Sequence, residues 1–190
     1  MEFSGGVYLV IAGWGAMAPD WVQWSALVAT QGILVAFVVL AGLAWWRADR
    51  RARALAAMLL GGVASWFAVD LVKGFFQAER PCRAYLVQTV ERCADVSHWS
   101  FPSGHAATAG GFAVAIAVFW RRAVWLLAVL ALLEAFLRVF IGVHYPHDVL
   151  IGLLFGGLIG LLAAAAGKPS ARRPPAVRAG GGATTTSTGA

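Results

Sequence analysis

Five long apolar runs, parted by short polar stretches, set the layout of this chain. The first lies between Trp24 and Trp46 and reads SALVATQGILVAFVVLAGLAW. The others cover about Ala54–Phe76, Gly104–Trp120, Ala123–Val143 and Pro146–Gly167. At a rise of about 1.5 Å per residue, each reaches or nearly reaches across a hydrocarbon core about 30 Å thick. The pattern predicts an all-α integral membrane bundle of five transmembrane helices. Residues 7–20 are apolar too, but short and broken by Gly13, Gly15 and Pro19. They predict a helix lying in the interface, with a sixth span as the alternative. Three segments follow: an interfacial part over 1–23, a membrane domain over 24–167, and a tail over 168–190. The tail is rich in Pro, Ala, Gly and Thr, cannot bury a core, and is expected to be disordered and cytoplasmic.

Tryptophans mark the ends of the runs. Trp21 and Trp24 stand at one end of the first, Trp45 and Trp46 at the other, and Trp120 and Trp125 bracket the third turn. Indole rings prefer the headgroup level, where one edge stays wet. Trp66 falls inside a run and reads as a core aromatic.

Composition sharpens the assignment. Sixty per cent of the 190 residues are hydrophobic and 13% charged, against roughly half and a quarter in soluble domains. The net charge of +6 raises the question of nucleic acid. No basic patch is interleaved with aromatic residues as single-strand binding needs, so no nucleic-acid partner is expected. The arginines instead flank apolar runs. Arg47, Arg50, Arg51 and Arg53 follow the first, Arg121 and Arg122 the third, and Lys168, Arg172, Arg173 and Arg178 the fifth. In a five-helix chain these share one side, and Lys/Arg excess marks the cytoplasm. Residues 77–103 and 144–146 then face outward. Residues 1–23 hold no Lys or Arg, so a signal peptide is not expected.

Charges at a membrane edge are costly and are functional suspects by default. They gather at the outward ends of three runs: Lys73 to Arg80-Pro81, Pro102-Ser103-Gly104-His105, and Arg138 to His144 to Asp148. Lys73, Arg80 and Arg138 are cations suited to an anion, with the arginine forks matched to phosphate oxygens. Ser103 and Gly104 stand where a helix begins, and free N–H groups there cradle phosphate. Asp148, four residues after His144, can fix that ring's tautomer and leave its other nitrogen to attack. His105 can then protonate the leaving oxygen. A lone histidine at an interface is more often just a hydrogen-bonded ring, and a His–Asp pair can be half a metal site. Three nearby cations argue against a metal. Glu134 before Arg138 and Asp70 before Lys73 read as ion pairs that orient the cations, with helix-packing contacts as the alternative. His98 and His147 read as bystanders. Cys82 and Cys93, the only cysteines, fall in the outward loop, where thiols oxidise, and predict a disulfide; two free thiols are the alternative.

Together these stretches resemble the type-2 phosphatidic acid phosphatase superfamily. Its pattern is Lys, six residues, Arg-Pro; then Pro-Ser-Gly-His; then Ser-Arg, five residues, His, three residues, Asp. Every position is met except the Ser before Arg138, which is Leu137 here. The resemblance covers about residues 54–166. It implies a phosphohistidine at His144 oriented by Asp148, with His105 as acid. Lys73, Arg80, Ser103, Gly104 and Arg138 would hold the phosphoryl oxygens, with no metal and no other cofactor. The implied substrate is a lipid phosphate within the membrane lipids. The short chain and small loops look similar to bacterial undecaprenyl diphosphate phosphatases of the cytoplasmic membrane, with the site facing the periplasm. Phosphatidylglycerophosphate, phosphatidic acid and lipid A phosphatases share the motifs and stay open as alternatives. So do a phosphotransferase on the same site and a non-catalytic lipid-phosphate binder. Oligomeric state is not legible.

Overall fold

The computed structural model describes residues 2–47, 51–85, 87–95 and 98–167, so the expected tail lies outside the described residues. Among those described there are helices and no strand. The order is α1 (Glu2–Met17), α2 (Asp20–Arg47), α3 (Ala52–Phe76), α4 (Pro81–Ala84), α5 (Gly104–Phe119), α6 (Val124–Phe140) and α7 (Pro146–Gly167), with a 3-10 turn at Arg121–Ala123. By length and composition, α2, α7 and the stretches containing α3 and α6 can each cross a membrane. No more than 44% of any of these apolar windows is buried in the protein, so most of their apolar surface looks outward. The third expected span, α5, has 16 residues and is the shortest of the five.

Boundaries shift from the sequence expectation where local chemistry decides. The first span starts at Asp20, because the Gln23 carboxamide donates to the carbonyls of Ala16 and Ala18 and closes the α1–α2 turn. The fourth ends at Phe140 rather than Val143. There the chain turns through Gly142 at φ +88, a conformation L-residues avoid, and any Cβ would strike Thr89. The short α4 had no periodic signal; Pro81 starts it.

Lipid offers no hydrophobic drive for helix association, so close van der Waals packing must supply it, and small residues allow it. That logic builds the centre of the bundle from α3, α5 and α7. Gly152, Gly156 and Gly160 form a stripe on α7. A Cβ at Gly156 would collide with the Ala107 carbonyl, and one at Gly160 with that of Gly111. A Cβ on Gly61 of α3 would lie 3.2 Å from the Gly160 Cα. Phe37 and Phe112 stack at 6.0 Å and join α2 to this centre. At the opposite end from Gly104, Arg47 lies 4.8 Å over the Trp120 ring and ties α2 to the end of α5.

Helix α1 runs unbroken through Gly13 and Gly15. Its contacts fall on the ends of α6 and α7 that meet at residues 141–145. Ser4 Oγ lies 2.7 Å from His147 Nδ1, Tyr8 donates to the Gly142 carbonyl at 3.0 Å, and Gly15 abuts the Phe140 carbonyl. Tyr8 is fully buried beside Tyr85 and Tyr145.

Candidate active site

The turn between α6 and α7 carries the most constrained group. His144 is 2% exposed, and its Nδ1 lies 3.4 Å from Oδ2 of Asp148, which is fully buried in the first turn of α7. That oxygen also accepts the Tyr145 N–H at 2.9 Å and the Ser100 hydroxyl. Oδ1 faces Nε2 of His147 at 3.3 Å, outside hydrogen-bonding geometry. The carboxylate is thereby fixed on Nδ1, which leaves Nε2 of His144 turned away from it. Burial pushes the His144 pKa down to about 4; Arg138 and Arg80 push the same way, against the hydrogen bond and charge of Asp148. At neutral pH the ring is uncharged, and a nitrogen lone pair is what an attacking group needs.

Cations surround this ring. Helix α3 ends at Gln77, whose left-handed φ of 45 lets its N–H cap the Lys73 carbonyl. The chain then delivers Arg80, which is 7% exposed. Its Nε donates to the His98 carbonyl at 2.9 Å and its Nη1 to the Val143 carbonyl at 3.2 Å. The guanidinium is thus held to the residue preceding His144. Arg138, 4% exposed, donates Nη1 to Glu91 Oε2 at 3.1 Å and keeps Nε without a partner. Lys73 Nζ stands 3.8 Å from where a Gly104 Cβ would be, so the ammonium sits over the start of α5.

At that start, the Phe101–Pro102 peptide is cis and Ser103 occupies the N-cap. Its N–H donates to the Asp148 carbonyl at 3.1 Å, which joins the beginnings of α5 and α7. Its hydroxyl is buried and has no partner. His105 follows in the first turn, within electrostatic reach of Arg138, His144, Lys73 and Arg80. Trp66 meets it edge-on at 5.5 Å, and Gln31 Nε2 lies 3.3 Å from its Nε2. The arrangement can hold a tetrahedral anion: three cations, a free hydroxyl and a helix N-terminus converge beside a neutral imidazole.

Over the neighbouring loop, Cys82 and Cys93 are joined by a disulfide. The loop it closes brings Glu91 to Arg138, and the Glu91 N–H donates to the Ile141 carbonyl at 3.1 Å.

Several readings of the sequence need correction. Glu134 does not pair with Arg138. It is fully buried with both carboxylate oxygens unpartnered, while the Arg138 head reaches instead to the loop and Glu91. Among the described residues, no ion pair within 4.0 Å joins exposed Asp70 to Lys73. Trp66 is 41% exposed beside His105 and is not a core aromatic. His147, read as a bystander, lies between Asp148 and Ser4. Sequence reasoning also missed Ser100, Glu91 and Gln31. The first two sit in loops, where spacing is silent; Gln31 could have been noticed as the lone amide inside an apolar run. Leu137 packs into the hydrophobic core.

Comparison with known proteins bears on this site. Residues 52–171 match the family model described as PAP2 superfamily, and that range contains every predicted catalytic and phosphate-binding position. Lipid A 1-phosphatase of Rhizobium etli is 45% identical over 65 residues, 34% of this chain and 28% of that protein. Undecaprenyl-diphosphatase BcrC of Bacillus subtilis is 36% identical over 104 residues, 53% of this chain and 51% of that protein. The matched stretches therefore span about half or less of these relatives. Among solved structures, a transmembrane PAP2-type phosphatidylglycerolphosphate phosphatase from Bacillus subtilis superposes with a TM-score of 0.66 at 21% identity, covering 84% of each chain. At that identity the likeness is one of fold.

Proposed function

We propose, since this chain belongs to the PAP2 superfamily, that it is a multi-pass membrane phosphatase releasing phosphate from a lipid-linked substrate through a phosphohistidine. The observation that carries the reading is the His144 ring. Asp148 occupies its Nδ1 side, and Arg138 and Arg80 lie within electrostatic reach of the ring.

In this mechanism Nε2 of His144 forms a bond to phosphorus in line with the leaving oxygen. The P–O bond breaks with its electron pair going to that oxygen, which takes a proton from His105. Water then attacks the phosphohistidine and returns its proton to His105, and the P–N bond breaks to free inorganic phosphate. Lys73, Arg80, Arg138, Ser103 and the N–H groups at Gly104 carry the charge on the equatorial oxygens. Fixed charge of that kind supplies most of the barrier lowering in phosphoryl transfer. Positive charge from the side chains takes the part a metal ion would have.

For the substrate we favour undecaprenyl diphosphate, cleaved to undecaprenyl phosphate, on the likeness to BcrC across half of both chains. The 45% identity to a lipid A 1-phosphatase, over a shorter stretch, supports lipid A as the second reading. Arg47, Arg51 and Arg53 flank one end of the helices, with Arg121 and Arg122. Those charges favour a cytoplasmic location for that end and an outward, periplasmic site at the other. Helix α1 then lies at the outer interface, and residues 24–167 form the membrane domain.

The test is phosphate release by purified protein from a panel of lipid phosphates and diphosphates, together with acid-labile radiolabel on the protein. Release with label on wild type and none on His144→Ala supports the mechanism. Transfer of label to a second lipid with little free phosphate makes it a phosphotransferase. No release from any substrate refutes the reading.

A further inference from the structure

An amide within a lipid-facing helix needs a reason, because an unmet polar group in hydrocarbon is expensive. Gln31 lies in the run SALVATQGILVAFVV and is exposed on α2. It falls outside residues 52–171, the stretch matched to the family. Its carboxamide nitrogen reaches His105 Nε2 at 3.3 Å. Trp66 on α3 meets the same ring edge-on at 5.5 Å and is 41% exposed. His105 thereby has one exposed partner on α2 and another on α3. Gln31 follows Trp24 by seven residues, so it lies about 10 Å deeper along the helix at the usual rise. If Trp24 marks the headgroup level, His105 meets the substrate below it, among acyl chains.

We infer that Gln31 is the positioning residue of His105. This rests on the phosphatase reading proposed above. The ring must give a proton to the leaving oxygen in the first half-reaction and take one from water in the second. Its partner must therefore accept from an N–H and later donate to a bare lone pair. A carboxamide does both by turning half a revolution about its last bond, since its oxygen accepts and its nitrogen donates. In the structure the amide nitrogen stands at Nε2, the arrangement of the unprotonated ring; once the ring is an imidazolium, the amide turns and its oxygen accepts the Nε2–H. The leaving oxygen then displaces it and takes the proton, after which the amide N–H donates to the emptied nitrogen.

The experiment compares wild type, Gln31→Leu and Gln31→Glu on dodecyl phosphate and on p-nitrophenyl phosphate. An alkoxide leaving group needs its proton, whereas nitrophenolate departs without one. Leucine suits an apolar helix, and vanadate binding by each variant reports an intact site. For Gln31→Leu we expect kcat on dodecyl phosphate to fall about 10- to 100-fold, part of the roughly 10²–10⁴-fold that general acid catalysis supplies. KM and the p-nitrophenyl rate should change little. Gln31→Glu should recover activity toward low pH, where the protonated carboxyl can both donate and accept. Equal loss on the two substrates, or no loss on either, overturns the inference and leaves the phosphatase reading standing. A wild type inactive on both overturns the two together.

Discussion

Cutting the Cys82–Cys93 bond should disable the enzyme without unfolding the bundle. The bridge joins residues 11 apart, and opening a loop of that size returns about 3 kcal/mol of chain entropy to the open form. That is roughly a hundredfold in the population of an open loop. Two contacts in this loop reach the site: the Glu91 carboxylate on Arg138 Nη1, and the Glu91 N–H on the Ile141 carbonyl. The packing of α3, α5 and α7 involves neither cysteine, so the helices stay assembled. With dithiothreitol, or in Cys82→Ser/Cys93→Ser, amide exchange at Glu91 should speed up about a hundredfold while exchange within α5 and α7 is unchanged. Turnover should fall as Arg138 loses the carboxylate that orients its fork. Alkylation with mass spectrometry, before and after reduction, verifies the state of the thiols. If the bridge is cleaved and Glu91 exchange rises less than about threefold, the loop is held by its hydrogen bonds alone and the reasoning fails.

Other expectations follow from the same geometry. His144→Ala should abolish phosphate release, whereas Asp148→Asn should lower it about 10²–10⁴-fold, because only the orientation of the ring is lost; steady-state rates separate the two. Burial lowers the His144 pKa, so its protonated form appears only as pH falls toward about 4. The acid limb of kcat/KM due to this ring should therefore lie well below 6.5, after correction for the substrate's own titration. EDTA should leave activity intact and vanadate should inhibit, since three cations already serve a five-coordinate phosphoryl group; metal-restored activity after EDTA would refute this. Gly156→Val should lower the thermal midpoint in detergent sharply, while Gly42→Ala, with open space around the site of its new Cβ, should not.

What could be read from the sequence was whatever repeats or clusters. Apolar runs located α2, α3, α5, α6 and α7, and the spacing of Arg138, His144 and Asp148 brought out the charged turn. Loop chemistry stayed hidden. Ser100 and Glu91 act through contacts across long separations, and nothing near them in sequence signals a partner. Helical spacing misled at Glu134, because neighbours on a helix face need not meet when one long side chain has a better partner beyond the helix end. Gly13 and Gly15 read in the sequence only as breaks that keep residues 7–20 too short to span, in a helix lying in the interface. In the structure Gly15 is the small surface that lets α1 rest on the Phe140 carbonyl.

The glycine stripe on α7 has a bearing on how the protein lives with its solvent. Side-chain knobs can slide and re-pack when a bilayer thins or thickens, but a carbonyl lodged against a bare Cα cannot. His105 stands on the first turn of α5, and His144 two residues before α7. Their two helix starts are pinned by the Ser103–Asp148 backbone bond and by contacts at Gly152 and Gly156. When hydrophobic mismatch tilts one of these helices, the other must tilt with it. The two histidines then move as parts of one rigid frame, and their separation is independent of lipid chain length.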